Sequence, residues 1–438
     1  MQLTDLGFLF LLLPVAAAAY YCVPNRRKPL ALLTVSVFFL LLIDRRTLLL
    51  LLLTLLPDCA LLHRDALRAE RPRLLDLCIA QHAAVILIFG LLLPQFGLPS
   101  MTGLSVLSLS AVGMLVDIRR GGAAPSPADY AAAVLFFGRI PLGPAGYGER
   151  VLRSLQAPRP SLSGIGRGVM LLISGVAKQV AISGEFIALF RTLSHLDPNQ
   201  IALATSWLYA LCCVLGLYFV LSGFSDIAQG LGLIFSIDLP RTVYYPLQAL
   251  GLREYVYRLN MPLEDFLRRM FLPGARREQS CAGVSLVSMV STLLLGLLID
   301  PTGGFLPWSL ALCALLLLDG LVFCRIPVLL PPLGRVITFL LTLPAYLLLL
   351  PVGLGQRLEM FGAMFGIGGP ELFNSTTLYL LRSNIVLLLI GLLFSSSLFD
   401  RLGRLTERRF PRLWWLASSA GHLALLVVAT SFLLWNVR

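Results

Sequence analysis

Residues 201–230 read IALATSWLYALCCVLGLYFVLSGFSDIAQG. The part up to Ser222 carries no Asp, Glu, Lys, Arg or His and is long enough to cross a bilayer as a helix. It then changes character within a few residues, to Ser222, Gly223, Ser225 and Asp226. An aspartate at the end of a span is costly beside lipid unless a partner or water meets it, although a solvated loop start explains it equally well.

Apolar runs of this kind recur along the chain. They lie near 5–23, 30–43, 47–62, 75–97, 100–117, 128–143, 166–192, 201–222, 283–299, 304–324, 333–353, 376–399 and 413–436. Of the 438 residues, 57% are hydrophobic and 13% charged, and the mean hydropathy is +0.84. A soluble domain carries roughly 45–50% apolar and 25% charged residues. Backbone groups in lipid must be satisfied within the segment, so the runs are expected as helices, and the short alternating segments of a β-barrel are not visible. The expectation is an all-α polytopic membrane protein. It forms a single domain over 1–438, a bundle of about ten or eleven transmembrane helices, with 30–43 and 100–117 short enough to be re-entrant. The N-terminal run has Asp5 and no basic region before it, and reads as a retained span.

The net charge of +12 is carried almost entirely by arginine, because Lys28 and Lys178 are the only lysines. Basic clusters at Arg26–Lys28, Arg64–Arg73, Arg119–Arg120, Arg150–Arg167 and Arg401–Arg412 mark the expected cytoplasmic loops of an inner-membrane protein. Arginines in short loops between spans do not make a nucleic-acid surface; they suit membrane lipid headgroups or a phosphate-bearing donor. The eight cysteines lie mostly in apolar runs, and His63, His82, His195 and His422 have no ligand spacing, so neither metal nor cofactor is expected.

The longest polar interruption, 237–282, holds Arg241, Arg253, Arg258, Arg268, Arg269, Arg276 and Arg277 among Tyr244, Tyr245, Tyr255, Tyr257, Phe266 and Phe271. This composition suits amphipathic or re-entrant helices on the cytoplasmic side and is richer than a connection requires.

The stretch LSGFSDIAQG resembles the FSGYSDIAIG signature of the membrane-bound O-acyltransferase (MBOAT) superfamily, in particular the branch with alginate O-acetyltransferase and the D-alanyl transfer protein. The similarity continues in order on both sides. GLSVLSLSAVGMLVDIRRG, FFGRIPLGPAGYGERVLRSL and GVAKQVAIS with Lys178 precede the signature, and LGLIFSIDLPRTVYYPLQALGLREYVYRLNMPLEDFLRRMFLPG and GLGQRLEMFGAMFGIGG follow it. The resemblance implies transfer of an acyl group from a cytoplasmic thioester, acyl-CoA or an acyl carrier, to a hydroxyl of an envelope glycan or lipid, with other polysaccharide-modification subunits as partners. Ser225, Asp226, Lys178, Arg253 and Arg258 are then candidates for substrate binding.

Such chemistry needs a base for the hydroxyl and donors for the oxyanion. The resemblance puts a second polar group at Asn260, which in Arg258-Leu259-Asn260-Met261-Pro262-Leu263 also reads as a helix cap. The family's histidine positions correspond to Asp300 and Asp319. An ordinary aspartate is a weak base at neutral pH, burial can strengthen it, and Asp300-Pro301 reads equally as a turn. Three readings follow: a catalytically degenerate member acting as scaffold or tunnel, an active O-acyltransferase, and an unrelated transporter.

Overall fold

A computed structural model describes residues 3–63, 71–96, 101, 103–140, 148–196, 201–272, 281–300, 304–321, 331–349 and 353–436. Among them no strand occurs. The first half runs through α1 (Phe8–Cys22), α2 (Lys28–Ile43), α3 (Arg45–His63), α4 (Pro72–Gly90), α5 (Leu104–Arg119), α6 (Pro127–Leu135), the short α7 (Gly148–Gln156), α8 (Leu162–Ser194) and α9 (Leu203–Ile234). Next come the two helices of the polar interruption, α10 (Leu252–Leu259) and α11 (Met261–Phe271). The chain ends with α12 (Cys281–Ile299), α13 (Leu306–Leu321), α14 (Pro331–Tyr346), α15 (Leu354–Met364), α16 (Ser375–Ser383), α17 (Ile385–Phe394), α18 (Leu398–Arg409) and α19 (Pro411–Asn436).

Six of these helices, α3, α4, α8, α9, the span Pro332–Leu349 and α19, are long and apolar enough to cross a membrane. The pair α16 and α17, bent by 58°, makes a seventh if counted as one span, and α1, α12 and α13 contribute shorter apolar helices. The chain is therefore an all-α polytopic membrane protein, as its composition requires.

The spine of the bundle is α9, whose apolar window is 78% buried. Its Ile227, Ala228, Leu231 and Ile234 enter a core built with α1 to α8, whereas Leu208, Tyr209, Leu215 and Phe219 enter a second core with α10 to α17. Small residues bring α8 against it. A Cβ on Gly175 would lie 2.7 Å from the Gly223 carbonyl oxygen, and one on Gly168 would lie 2.8 Å from that of Gly230. Two glycines seven residues apart on each helix thus let the backbones touch at two levels, the usual device where lipid supplies no hydrophobic drive between helices. Two of those four glycines belong to the LSGFSDIAQG stretch. One turn beyond Gly175, α8 widens into a π-helical segment, Lys178–Ser183, an irregularity that often accompanies functional sites.

The polar interruption folds into the bundle. Ile237, Leu239, Thr242, Val243 and Tyr245 are buried, as are Leu252, Tyr255, Val256 and Leu259 of α10 and Leu263, Phe266 and Leu267 of α11. The expected amphipathic helices are present, with their apolar sides turned into the protein. Arg276, Arg277, Pro301, Cys324 and most of the Arg64–Arg73 cluster lie outside the described residues.

Candidate functional site

The close contact of α8 and α9 sets Lys178 opposite the polar end of the spine. Its ammonium is ion-paired with the Asp226 carboxylate and donates to Ser222 Oγ at 3.1 Å. The Asp226 side chain is 4% exposed and that of Lys178 20%. This supplies the partner that an aspartate at that depth requires. From the same turn, Ser225 Oγ accepts the Thr242 backbone N–H at 2.9 Å, and the Thr242 carbonyl accepts the Met261 N–H at 3.0 Å. The Asp226 turn, the start of the interruption and the start of α11 are thereby sewn together.

Asn260, itself buried, caps α11, its Oδ1 accepting the Leu263 N–H at 3.2 Å. Pro262 occupies the first turn, where its missing N–H costs nothing. Glu264, in the same turn, is fully buried, 2.5 Å from Arg268 and accepting from Ser288 Oγ of α12 at 2.8 Å. Burial raises its pKa, while Arg268 and Ser288 oppose the rise.

Arg241 forms the outer layer. It packs over the rings of Tyr244 and Tyr245, at 5.4 and 5.3 Å, and pairs with Asp400 of α18 at 3.5 Å. Burial alone would lower its pKa, but Asp226, Tyr245 and Asp400 outweigh that and raise it. Arg258 bonds Glu254 at 2.6 Å and the Tyr245 carbonyl at 3.2 Å, and lies 5.8 Å from the Tyr244 ring centre. Tyr245 holds a left-handed backbone, φ +43°, a strain that a residue with a side chain keeps only where its surroundings fix it.

The two aspartates that the resemblance sets at histidine positions are engaged elsewhere. Asp319 pairs with Arg253 of α10 at 3.3 Å. Asp300 follows the last turn of α12 and its Oδ2 accepts the Gly304 N–H at 3.0 Å. Since Glu264 meets α12 at Ser288, twelve residues earlier, Asp300 lies about 18 Å further along the helix axis. The fold therefore gathers Lys178, Ser222, Ser225 and Asp226, brings Asn260 to the same layer through backbone bonds, and sets Asp300 apart.

Other polar clusters emerge only in the structure. Tyr255 and Tyr346 are hydrogen-bonded through their hydroxyls in the second core, with the Trp308 ring 5.7 Å from that of Tyr346. In the first core Asp58 accepts from Tyr130 at 2.8 Å and bonds His82 Nε2 at 2.8 Å, all three fully buried. No group of three or more metal-ligating side chains occurs among the described residues. A cleft of about 740 Å³ between the second half of α8 and the end of α19 begins at Val180, two residues from Lys178, and includes Glu185, Arg191 and Trp435.

A polytopic helical bundle with an amphipathic segment folded against it is the architecture implied by the resemblance to the MBOAT superfamily. The chain is 25% identical over 299 residues to a protein of Azotobacter vinelandii described as a probable alginate O-acetylase, AlgI, covering 66% of this chain and 58% of that protein. It is 26% identical over 296 residues to the same-named protein of Pseudomonas aeruginosa, covering 66% and 55% respectively. Over 149 residues it is 27% identical to the peptidoglycan O-acetyltransferase of Helicobacter pylori, covering 33% of this chain and 28% of that one. No family model matches the chain. These relatives are MBOAT proteins, and the chain is similar to the first two over about two thirds of its length. The matched region spans somewhat over half the length of the first two relatives.

Proposed function

We propose that this protein serves O-acylation of a cell-envelope polysaccharide or lipid, from the bacterial inner membrane, as a catalytically degenerate acyltransferase that retains the fold as scaffold or tunnel. One observation carries the reading. Each aspartate standing where the chemistry needs a base is committed to a structural bond, and Asn260 spends its side-chain oxygen on a helix cap. Asn260 caps α11, Asp300 closes a turn on Gly304, and Asp319 is held by Arg253. A general base must reach the hydroxyl proton directly or through one water. Asp300 lies about 18 Å along α12 from Ser288, where Glu264 of α11 meets that helix, which sets it away from that contact. The support for envelope acylation is the kinship with proteins named for acetylation of alginate and of peptidoglycan.

The active reading draws on the Lys178–Asp226 centre, a buried polar site. In that reading Arg241, Arg253 and Arg258 attract the phosphates of a cytoplasmic acyl donor. Label transfer from thioester donors in membranes, compared among wild type, Asp300→Asn and Asn260→Ala at equal expression, separates the two. The degenerate reading expects no transfer together with an envelope phenotype on deletion. Robust transfer by the wild type refutes it, and abolition of that transfer by Asp300→Asn would identify the base.

A further inference from the structure

The helix α18, LFDRLGRLTERR, has three faces. Leu398, Phe399, Leu402 and Leu405 form one, and they are 46%, 41%, 49% and 63% exposed. Arg401, Arg404 and Arg408, all exposed, recur at helical spacing along a second. Gly403 and Asp400 form the third, turned to the protein: a Cβ on Gly403 would lie 2.8 Å from the Trp414 ring, and Asp400 meets Arg241 at 3.5 Å.

Its neighbours fix where this helix lies. Three residues separate it from the apolar α17, and the single residue Phe410 separates it from α19, a spanning helix whose apolar window is only 6% buried in the protein. Three extended residues reach at most about 11 Å, so α18 cannot leave the membrane surface on which both neighbours end. Trp414 and Trp415 open α19 at the level where tryptophan favours the headgroup region. An exposed apolar face held at that level is covered by acyl chains, and five arginines from Arg401 to Arg412 against Asp400 and Glu407 give it a basic rim.

We propose that α18 is an interfacial helix that binds the headgroups of anionic phospholipids in the bilayer, inserting Leu398, Phe399, Leu402 and Leu405 between their chains. Through Asp400 the same helix holds Arg241, and with it the tyrosine layer over the Asp226 turn. The docking surface stands independently of any acyl transfer, so its test reads binding and stability.

The purified full-length protein, in micelles with phosphatidylcholine, is titrated with phosphatidylglycerol while its thermal unfolding is followed. Each basic side chain near an anionic surface is worth about fivefold in partition. The Arg401→Gln/Arg404→Gln/Arg408→Gln variant should therefore keep its stability in phosphatidylcholine and need at least tenfold more phosphatidylglycerol for half its stabilisation. Arg26→Gln/Arg27→Gln/Arg45→Gln, which removes as much charge from other exposed positions, should respond as the wild type does. A wild-type dose response in the α18 variant overturns the proposal. So does an equal loss in the control variant, or equal stabilisation by inorganic phosphate. Should the α18 variant not fold, a nitroxide on Leu405→Cys with the arginines intact decides the matter. Relaxation by oxygen and not by an aqueous nickel complex supports insertion, and relaxation by nickel, or by neither, overturns it.

Discussion

Removing one member of the Lys178–Asp226 pair gives a prediction whose size follows from the geometry. The Asp226 side chain is 4% exposed and that of Lys178 20%. Breaking a buried pair costs about 3–5 kcal/mol, because the remaining charge stays desolvated. Lys178→Met leaves a carboxylate almost wholly out of water, with Arg241 the nearest compensating charge in the adjoining layer, and belongs near the upper end. Asp226→Asn leaves an ammonium that still touches solvent and an amide that still accepts a bond, and belongs near the lower end. Lys178→Met/Asp226→Asn removes both charges and leaves neutral groups in their place, so no unpaired charge stays buried. The double variant should then be more stable than either single one, with a coupling of at least about 2 kcal/mol. Unfolding in mixed micelles by titration with a denaturing detergent measures all four proteins. Additive losses, or Lys178→Met as stable as the wild type, would refute the argument that this pair is what allows an aspartate at the end of the spine.

The backbone seam predicts that Gly175→Ala or Gly168→Ala, each placing a Cβ under 3 Å from a carbonyl of α9, costs about 1–3 kcal/mol by overpacking, while Gly166→Ala, with nothing within 4 Å of the new carbon, leaves thermal stability unchanged or slightly higher. The raised pKa of Glu264 means that the folded state holds its proton more tightly than the unfolded one. Its contribution is thus fully present below the ordinary value of about 4.5 and falls as pH rises through the folded value. Glu264→Gln should flatten that part of the stability–pH curve, and an unchanged slope would refute the assignment. Asp319→Asn weakens the hold on Arg253 and should lower stability by about 1 kcal/mol or less, because both side chains are partly exposed; a larger loss in the same assay would show the pair to be a central support.

Much of the architecture was legible because lipid imposes a strong rule on composition. The uncharged run before Ser222 and its repeats along the chain were sufficient for a helical bundle. The cap at Asn260 was also legible, since a cap, Pro262 in the first turn and Glu264 follow a local grammar that needs no tertiary partner. The glycine spacing of seven in both α8 and α9 is visible in the sequence, but nothing local says that the two rows face each other. Pairings across the fold were out of reach for the same reason. Lys178 meets Asp226 across 48 residues and Arg241 meets Asp400 across 159, distances that only the packed topology closes. His82 has no ligand spacing, and its bond to Asp58 depends on the facing of α3 and α4, which periodicity alone does not set.

The length of the spine has a bearing on how the protein responds to its membrane. With 32 residues, α9 measures about 48 Å, against a hydrocarbon slab of about 30 Å. A helix exposed to lipid would meet that mismatch by tilting or by deforming the bilayer. Here the helix is housed in protein, because the apolar window of α9 is 78% buried, whereas that of α19, at 6% buried, faces the acyl chains. Changes in bilayer thickness are therefore felt by the outer helices first. The turn that carries Asp226 is insulated from them, and the protein can keep one geometry at its centre in membranes of different thickness.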